Sequence, residues 1–262
     1  MSIPRAAFLP ERGRQGQWGR YGPAGQVRTV SAMGDGRAAT LRAAAADAAG
    51  CVRCGLHVGR TQVVFGEGNP DAELALVGEA PGFHEDRAGT PFAGRARELL
   101  DHLLGGIGIP LDDVYLATVL KCRPPGNRDP LTDETAACEP YLYRQLEIVR
   151  PRVVATLGGF ATALLSGRAL GITRVHGQEQ EVALGGRTVI LYPLYHPAAA
   201  LYTPTMLDVL ERDIARLPAL LAGGERASLD STQAPHAAPG VDGDPDPARR
   251  ARGRQPVQLG LF

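Results

Sequence analysis

Four short apolar runs, at residues 74–77, 114–120, 153–157 and 189–191, are separated by segments with helix-like apolar spacing. This alternation restricts the fold more than any other feature of the chain. Runs of this length suit strands buried on both faces, and such strands need helices above and below them. The helical segments are residues 95–104, 133–149, 159–165 and 204–221. Thr132 or Asp133 can cap the second, and Pro204 suits the first turn of the last. The expected fold is α/β, with a four-stranded, mainly parallel sheet covered on both faces. Ligands of such sheets gather at the carboxyl ends of the strands, so the loops beginning near Gly78, Lys121, Gly158 and Pro193 are the places to look for chemistry.

Composition locates the folded part. The chain has 262 residues, of which 33 are Gly and 21 are Pro, with 44% hydrophobic residues overall. Gly, Pro and Arg crowd the first 37 positions, and Gly, Pro, Asp and Arg crowd those after 222. Neither end carries the apolar surface that offsets the entropy of ordering a chain. We therefore expect a disordered arm over 1–37, one domain over 38–222 and a disordered linker over 223–262, with Met33 a second candidate start. An Ala-rich run at 38–49 reads as a helix on propensity. The formal net charge is zero, so a nucleic-acid partner would have to be met by a local basic patch. No apolar run approaches the roughly 20 residues that cross a bilayer, and the Arg-rich start lacks the apolar stretch of a secretory signal. A cytoplasmic protein with no membrane contact is expected.

Cys51 and Cys54 form a C-x2-C pair, Cys122 follows the second strand, and Cys138 falls in a helix. In a reducing compartment they are metal ligands or bystanders rather than disulfides. Four thiolates suit either zinc or an iron–sulfur cluster. Structural zinc more often takes two C-x2-C knuckles, and the single one here leans toward a cluster. Four protein thiolates leave no position open for a substrate, so the metal reads as a staple.

The first strand leads into Gly78-Glu79-Ala80-Pro81-Gly82, then Glu85-Asp86 and Gly89-Thr90-Pro91-Phe92-Ala93-Gly94. Such a loop brings backbone N–H groups near a ligand, although Gly-rich βα turns are also ordinary in alternating sheets. Lys121-Cys122-Arg123-Pro124-Pro125-Gly126-Asn127-Arg128 follows the second strand, and Tyr195-His196-Pro197 follows the last. With the four cysteines, this set resembles the family-four uracil-DNA glycosylases from about residue 49 to residue 221. The resemblance implies a three-layer α/β/α domain and a [4Fe-4S] cluster held by Cys51, Cys54, Cys122 and Cys138. It implies an enzyme, expected as a nucleoid-associated monomer, that flips uracil out of DNA and hydrolyses its N-glycosidic bond for base excision repair.

On that resemblance Phe92 is the stacking platform at the rim of the pocket. Its plainer reading is core packing. Cleavage leaves negative charge on uracil, which calls for fixed donors at its O2. Backbone amides in the Gly78 loop near Glu79 and Ala80 would supply them, with a hydrogen bond from His196. Glu79 would hold or polarise the attacking water, and Glu85 would crowd the uracil C5 edge and exclude the methyl of thymine. Arg123 and Arg128 are candidate DNA contacts and Asn127 a candidate substrate contact, against the plainer reading of a charged exposed loop. One position departs from the family pattern. An Asn usually stands four residues before the cluster cysteine, and here that residue is Thr118, whose short hydroxyl cannot span two base atoms. Three readings stay open: a uracil glycosylase with a weakened base contact, a glycosylase relaxed toward other deaminated bases, and a damaged-DNA binding module with little turnover.

The chain closes on Gln258-Leu259-Gly260-Leu261-Phe262. Apolar anchors at the end of a polar linker have no core to join. The pentapeptide resembles the bacterial sliding-clamp binding motif, with Gln258 as polar lead and Leu259, Leu261 and Phe262 as anchors. A frayed terminus is the plainer reading.

Overall fold

The structure, a computed structural model, describes residues 32–223. In chain order the elements are α1 (Ala32–Ala49), β1 (Glu67–Gly68), β2 (Leu74–Gly78), α2 (Phe83–Ala88), α3 (Gly94–Gly106), β3 (Tyr115–Thr118), α4 (Thr132–Val149), β4 (Val153–Leu157), α5 (Gly159–Ser166), α6 (Ile172–Val175), β5 (Gln180–Leu184), β6 (Arg187–Leu194), α7 (Pro197–Ala200), α8 (Pro204–Ile214) and α9 (Leu217–Ala222). None of the described helices is long and apolar enough to cross a membrane.

The four expected strands are β2, β3, β4 and β6, and they run parallel at the centre of the sheet. Every residue of β2, β3 and β4 is buried, as their continuous apolar runs require. One face, with Leu74, Leu76, Leu116 and Val153, packs under α3, α8 and α9; the other, with Ala75, Val77, Ala117 and Val154, packs under α4 and α5. The result is the expected three-layer α/β/α arrangement.

The expected strand count is corrected. The sheet has six strands in the order β1-β3-β2-β4-β6-β5, with β1 and β5 antiparallel at the two edges. β1 has two residues and no readable period. β5 is a half-exposed edge strand that pairs with β6 through Gly185 and Gly186, both with left-handed φ (57° and 72°), the geometry of a tight hairpin turn.

Three further boundaries differ from expectation. The helix expected from residue 38 begins at Ala32, inside the expected arm. Arg37 in its early turns donates to the Val149 carbonyl at 3.1 Å and pairs with Asp71 at 3.0 Å, contacts that offset poor local propensity at Gly34 and Gly36. The segment expected as one helix over 204–221 is two, because Pro218 lacks an N–H and cannot continue α8. The cap of α4 is Leu131 rather than Thr132 or Asp133, and Glu134 reaches back to accept the Leu131 N–H at 2.9 Å.

Beside the cysteines lies a fully buried polar network. The Lys121 ammonium donates to the Thr118 carbonyl and to Gln145 Oε1, both at 2.6 Å. Gln145 Nε2 in turn donates to the Phe65 carbonyl at 2.7 Å and to the Tyr115 hydroxyl at 2.9 Å. Burial pushes Lys121 down to about 7, with Cys138 acting weakly in the opposite direction. This network joins α4, β3 and the segment before β1. Gln145→Ala strips one partner each from the Lys121 ammonium, the Phe65 carbonyl and the Tyr115 hydroxyl. A loss of about 1–3 kcal/mol in urea unfolding is expected, whereas an exposed helix position would change little.

Candidate active site

Three strand ends and the loop after β6 meet at one edge of the sheet. Gly78 ends β2, and a Cβ there would lie 2.9 Å from Phe92 Cζ, so the aromatic ring occupies the space that a side chain would fill. Gly158 follows β4 with φ 94°, and its would-be Cβ is 3.6 Å from His196 Cβ. The rings of Phe92 and His196 are 6.1 Å apart between centroids. Sequence reasoning marked Gly158 only as the start of a loop; two glycines closing an apolar run were the signal for a close approach there.

His196 caps α7, and its Nδ1 accepts the Ala198 N–H at 3.1 Å. An accepting Nδ1 carries no proton, so the neutral ring holds its proton on Nε2 and can donate from it. Burial lowers its pKa to about 4, partly opposed by the charge of Glu85. Glu79, half-buried, moves the other way, to about 7, through burial and then the like charge of Asp129. The carbonyls of Gly78 and Glu79 accept the Val119 and Leu120 N–H groups, each at 2.9 Å. Among the described residues the amides of Glu79 and Ala80 have no hydrogen-bond acceptor, which leaves two donors for a ligand.

Side-chain placement bears on five of the expected roles. Phe92 is not on an exposed rim: it is 4% exposed and joins the core under α3, because a left-handed φ of 55° turns it inward. Glu85 does not stand free against a base edge. Its Oε2 accepts the Gly82 N–H at 3.0 Å and its Oε1 the Ala93 N–H at 2.7 Å, so it buckles the Gly78–Gly82 loop to the backbone beside Phe92. Arg128 forks onto Glu134, at 2.8 and 2.6 Å. Asn127 is exposed on a turn, its Oδ1 accepting Arg123 Nε at 2.7 Å. Thr118 is at the edge, but its hydroxyl donates to the Leu120 carbonyl at 2.7 Å, which leaves it only acceptor capacity.

All four cysteines line one cavity, with Cys122 and Cys138 buried and Cys51 and Cys54 half-buried. Arg60 Nη1 donates to Cys122 Sγ at 3.4 Å and the Lys121 amide to Cys138 Sγ at 3.2 Å. Burial pushes the Cys138 thiol up to about 11 and raises Cys122 as well. Among the described residues no three Cys, His, Asp or Glu side chains are grouped as ligands of a single metal ion. Asp86, to which the sequence assigned no role, is buried and accepts the Thr61 N–H with both oxygens, at 2.9 and 3.1 Å, which ties α2 to the segment following Cys54. The clamp-like residues Gln258, Leu259, Leu261 and Phe262 lie outside the described residues.

Residues 65–217 match the model of the uracil DNA glycosylase superfamily. The chain is 42% identical over 185 residues to the type-4 uracil-DNA glycosylase of Sulfurisphaera tokodaii, covering 69% of this chain and 84% of that one. It is 44% identical over 171 residues to the type-4 uracil-DNA glycosylase of Archaeoglobus fulgidus, covering 64% and 86%. It is 47% identical over 149 residues to that of Thermotoga maritima, covering 56% and 76%.

The two titrations can be read directly by NMR. His196 should stay neutral, with its proton on Nε2, from pH 8 down to about pH 5, since its pKa is lowered to about 4. Glu79 should ionise as pH rises through about 7. An imidazolium signal from His196 at pH 6, or a Glu79 titration completed by pH 5, would contradict this geometry.

Proposed function

Because the chain belongs to the uracil DNA glycosylase superfamily, and within it to the type-4 enzymes, we propose that it rotates uracil out of DNA and hydrolyses the N-glycosidic bond at the edge formed by Gly78, Phe92, Gly158 and His196. The observation that carries this reading is the tautomer of His196. With Nδ1 occupied by the Ala198 amide, Nε2–H is a neutral donor that needs no deprotonation at physiological pH.

As the bond to the sugar breaks, its electron pair moves into the uracil ring and charge builds on O2. The amides of Glu79 and Ala80, with His196 Nε2–H, are donors already in place for that charge, and fixed donors contribute most when they need not reorganise. Phe92 supplies an apolar floor for the base. Glu79 in its ionised form holds the attacking water and accepts its proton as the water oxygen bonds to the sugar carbon. Since Glu79 titrates near 7, the ionised fraction and the rate should rise together with pH through that range.

Removing one such donor costs on the order of a hundredfold in rate. His196→Ala should therefore slow single-turnover uracil release about that much while oligonucleotide affinity changes far less; normal cleavage would misplace the site. Selectivity is the second reading, carried by the committed hydroxyl of Thr118. That oxygen can accept from N3–H of uracil but cannot also donate to O4. Thr118→Asn should raise release of uracil relative to hypoxanthine, and an unchanged ratio would remove Thr118 from the base edge.

Cys51, Cys54, Cys122 and Cys138 would hold a [4Fe-4S] cluster. In support, four thiols share one cavity and two of their sulfurs accept hydrogen bonds from Arg60 and Lys121. The cluster supplies cross-linking, since four protein thiolates leave no position for substrate. Purified anaerobically, the protein should be brown with about four irons, and Cys138→Ala should lose both colour and solubility before chemistry is altered. Stoichiometric zinc without iron would refute the assignment. The C-terminal pentapeptide is proposed, on its sequence alone, to tether the enzyme to a sliding clamp, which would raise its concentration on DNA without altering the pocket.

A further inference from the structure

Phe83 stands one residue beyond the Gly78–Gly82 loop and is 45% exposed. A single exposed apolar ring is ordinary on a protein surface, and it is the neighbours of this one that give it meaning. The guanidinium of Arg123 lies 5.1 Å from the ring centroid and that of Arg87 5.6 Å, while the exposed His84 ring meets it edge-on at 5.4 Å. The cluster bridges two strand exits, with Phe83 and Arg87 on α2 after β2 and Arg123 on the loop after β3. It therefore sits on the same edge of the sheet as the catalytic groups. Glu85 and Asp86, both fastened to backbone amides, hold the short helix that carries it.

We propose that Phe83, with Arg87 and Arg123, is a stacking platform for the DNA base beside the flipped nucleotide. The proposal rests on the reading that this chain acts on uracil in DNA. Flipping one nucleotide unstacks its neighbour and exposes an aromatic face of that base. A phenyl ring beside two cations meets both needs of that neighbour, because the base stacks on the ring and the guanidinium groups donate to the flanking phosphates. Exposed cation–π contacts are weak beside a charge-assisted bond to phosphate, so the phosphates draw the arginines off the ring and free its face. Arg123 keeps its direction meanwhile, since its Nε donates to Asn127 Oδ1 at 2.7 Å and its outer nitrogens stay available. This gives Asn127 a place in the site that differs from the expected contact with the substrate base: it steers Arg123. A protein partner would call for a wider apolar surface than one ring set among cations.

The experiment uses the full chain and a single-stranded oligonucleotide bearing 2′-fluoro-deoxyuridine, which resists cleavage, with 2-aminopurine next to it. Affinity is read by anisotropy and stacking by 2-aminopurine emission. Phe83→Ala and Phe83→Leu should each weaken binding about tenfold and abolish the emission change, whereas Phe83→Trp should keep both, as expected for a stacking contact. Arg123→Ala should lower the salt dependence of binding by about one phosphate contact. The platform is overturned if Phe83→Ala binds as tightly as the parent, or if Phe83→Leu matches Phe83→Trp. Uracil release by the unaltered protein from the same strand with ordinary deoxyuridine is measured alongside. Its failure would defeat the glycosylase reading itself, and it is distinct from either outcome for Phe83.

Discussion

The carboxylate of Glu85 holds the candidate site in shape. One oxygen takes the Gly82 amide, and the other takes the Ala93 amide, next to Phe92. A loop rich in Gly gains close approach to a ligand at the cost of conformational freedom, and a carboxylate that bonds the last residue of the loop and the backbone at Ala93 restores much of that order. It also fixes Phe92, whose left-handed backbone is unfavourable for a side chain of its size and persists because its surroundings over-determine it. The ring so placed fills the space over Gly78 and stands beside His196.

The cysteine side of the molecule is fastened to this edge rather than merely close to it. Asp86 binds the Thr61 amide, and Gln62 Nε2 donates to the Arg87 carbonyl at 2.8 Å, so the C-terminal half of α2 is attached at two points to the segment that follows Cys54. Lys121 and Gln145 join the exit of β3 to α4, which carries Cys138. A staple at the four cysteines would thus act on the pocket through backbone position, without any thiolate approaching the substrate.

Electrostatics at the edge follows from burial working on opposite charge types. Desolvation favours neutral forms, so it lowers the histidine and raises the glutamate. At neutral pH the pair then comprises an uncharged donor and a carboxyl near its midpoint, which suits a reaction that develops negative charge on the base while needing a base for water. The same economy of partners limits Thr118. Its hydroxyl proton satisfies the buried Leu120 carbonyl, and an unpaired buried acceptor is costly.

The sequence by itself determined the four parallel strands, most of the helices between them and the set of residues at the strand exits. These are legible because burial on two faces imposes a local pattern of run length and spacing. The β5–β6 hairpin was missed: Gly185-Gly186 is a turn signal, but the half-exposed β5 lacks the continuous apolar run that marked the other strands. Tertiary structure alone decided what each polar side chain does. Glu85 turned to its own loop, Arg128 to Glu134, Asn127 to Arg123 and the Thr118 hydroxyl to Leu120. Only the fold settles which acceptor lies within 3 Å of a given donor, because a hydrogen bond depends on position and direction in space, and sequence carries neither beyond a turn or two of chain.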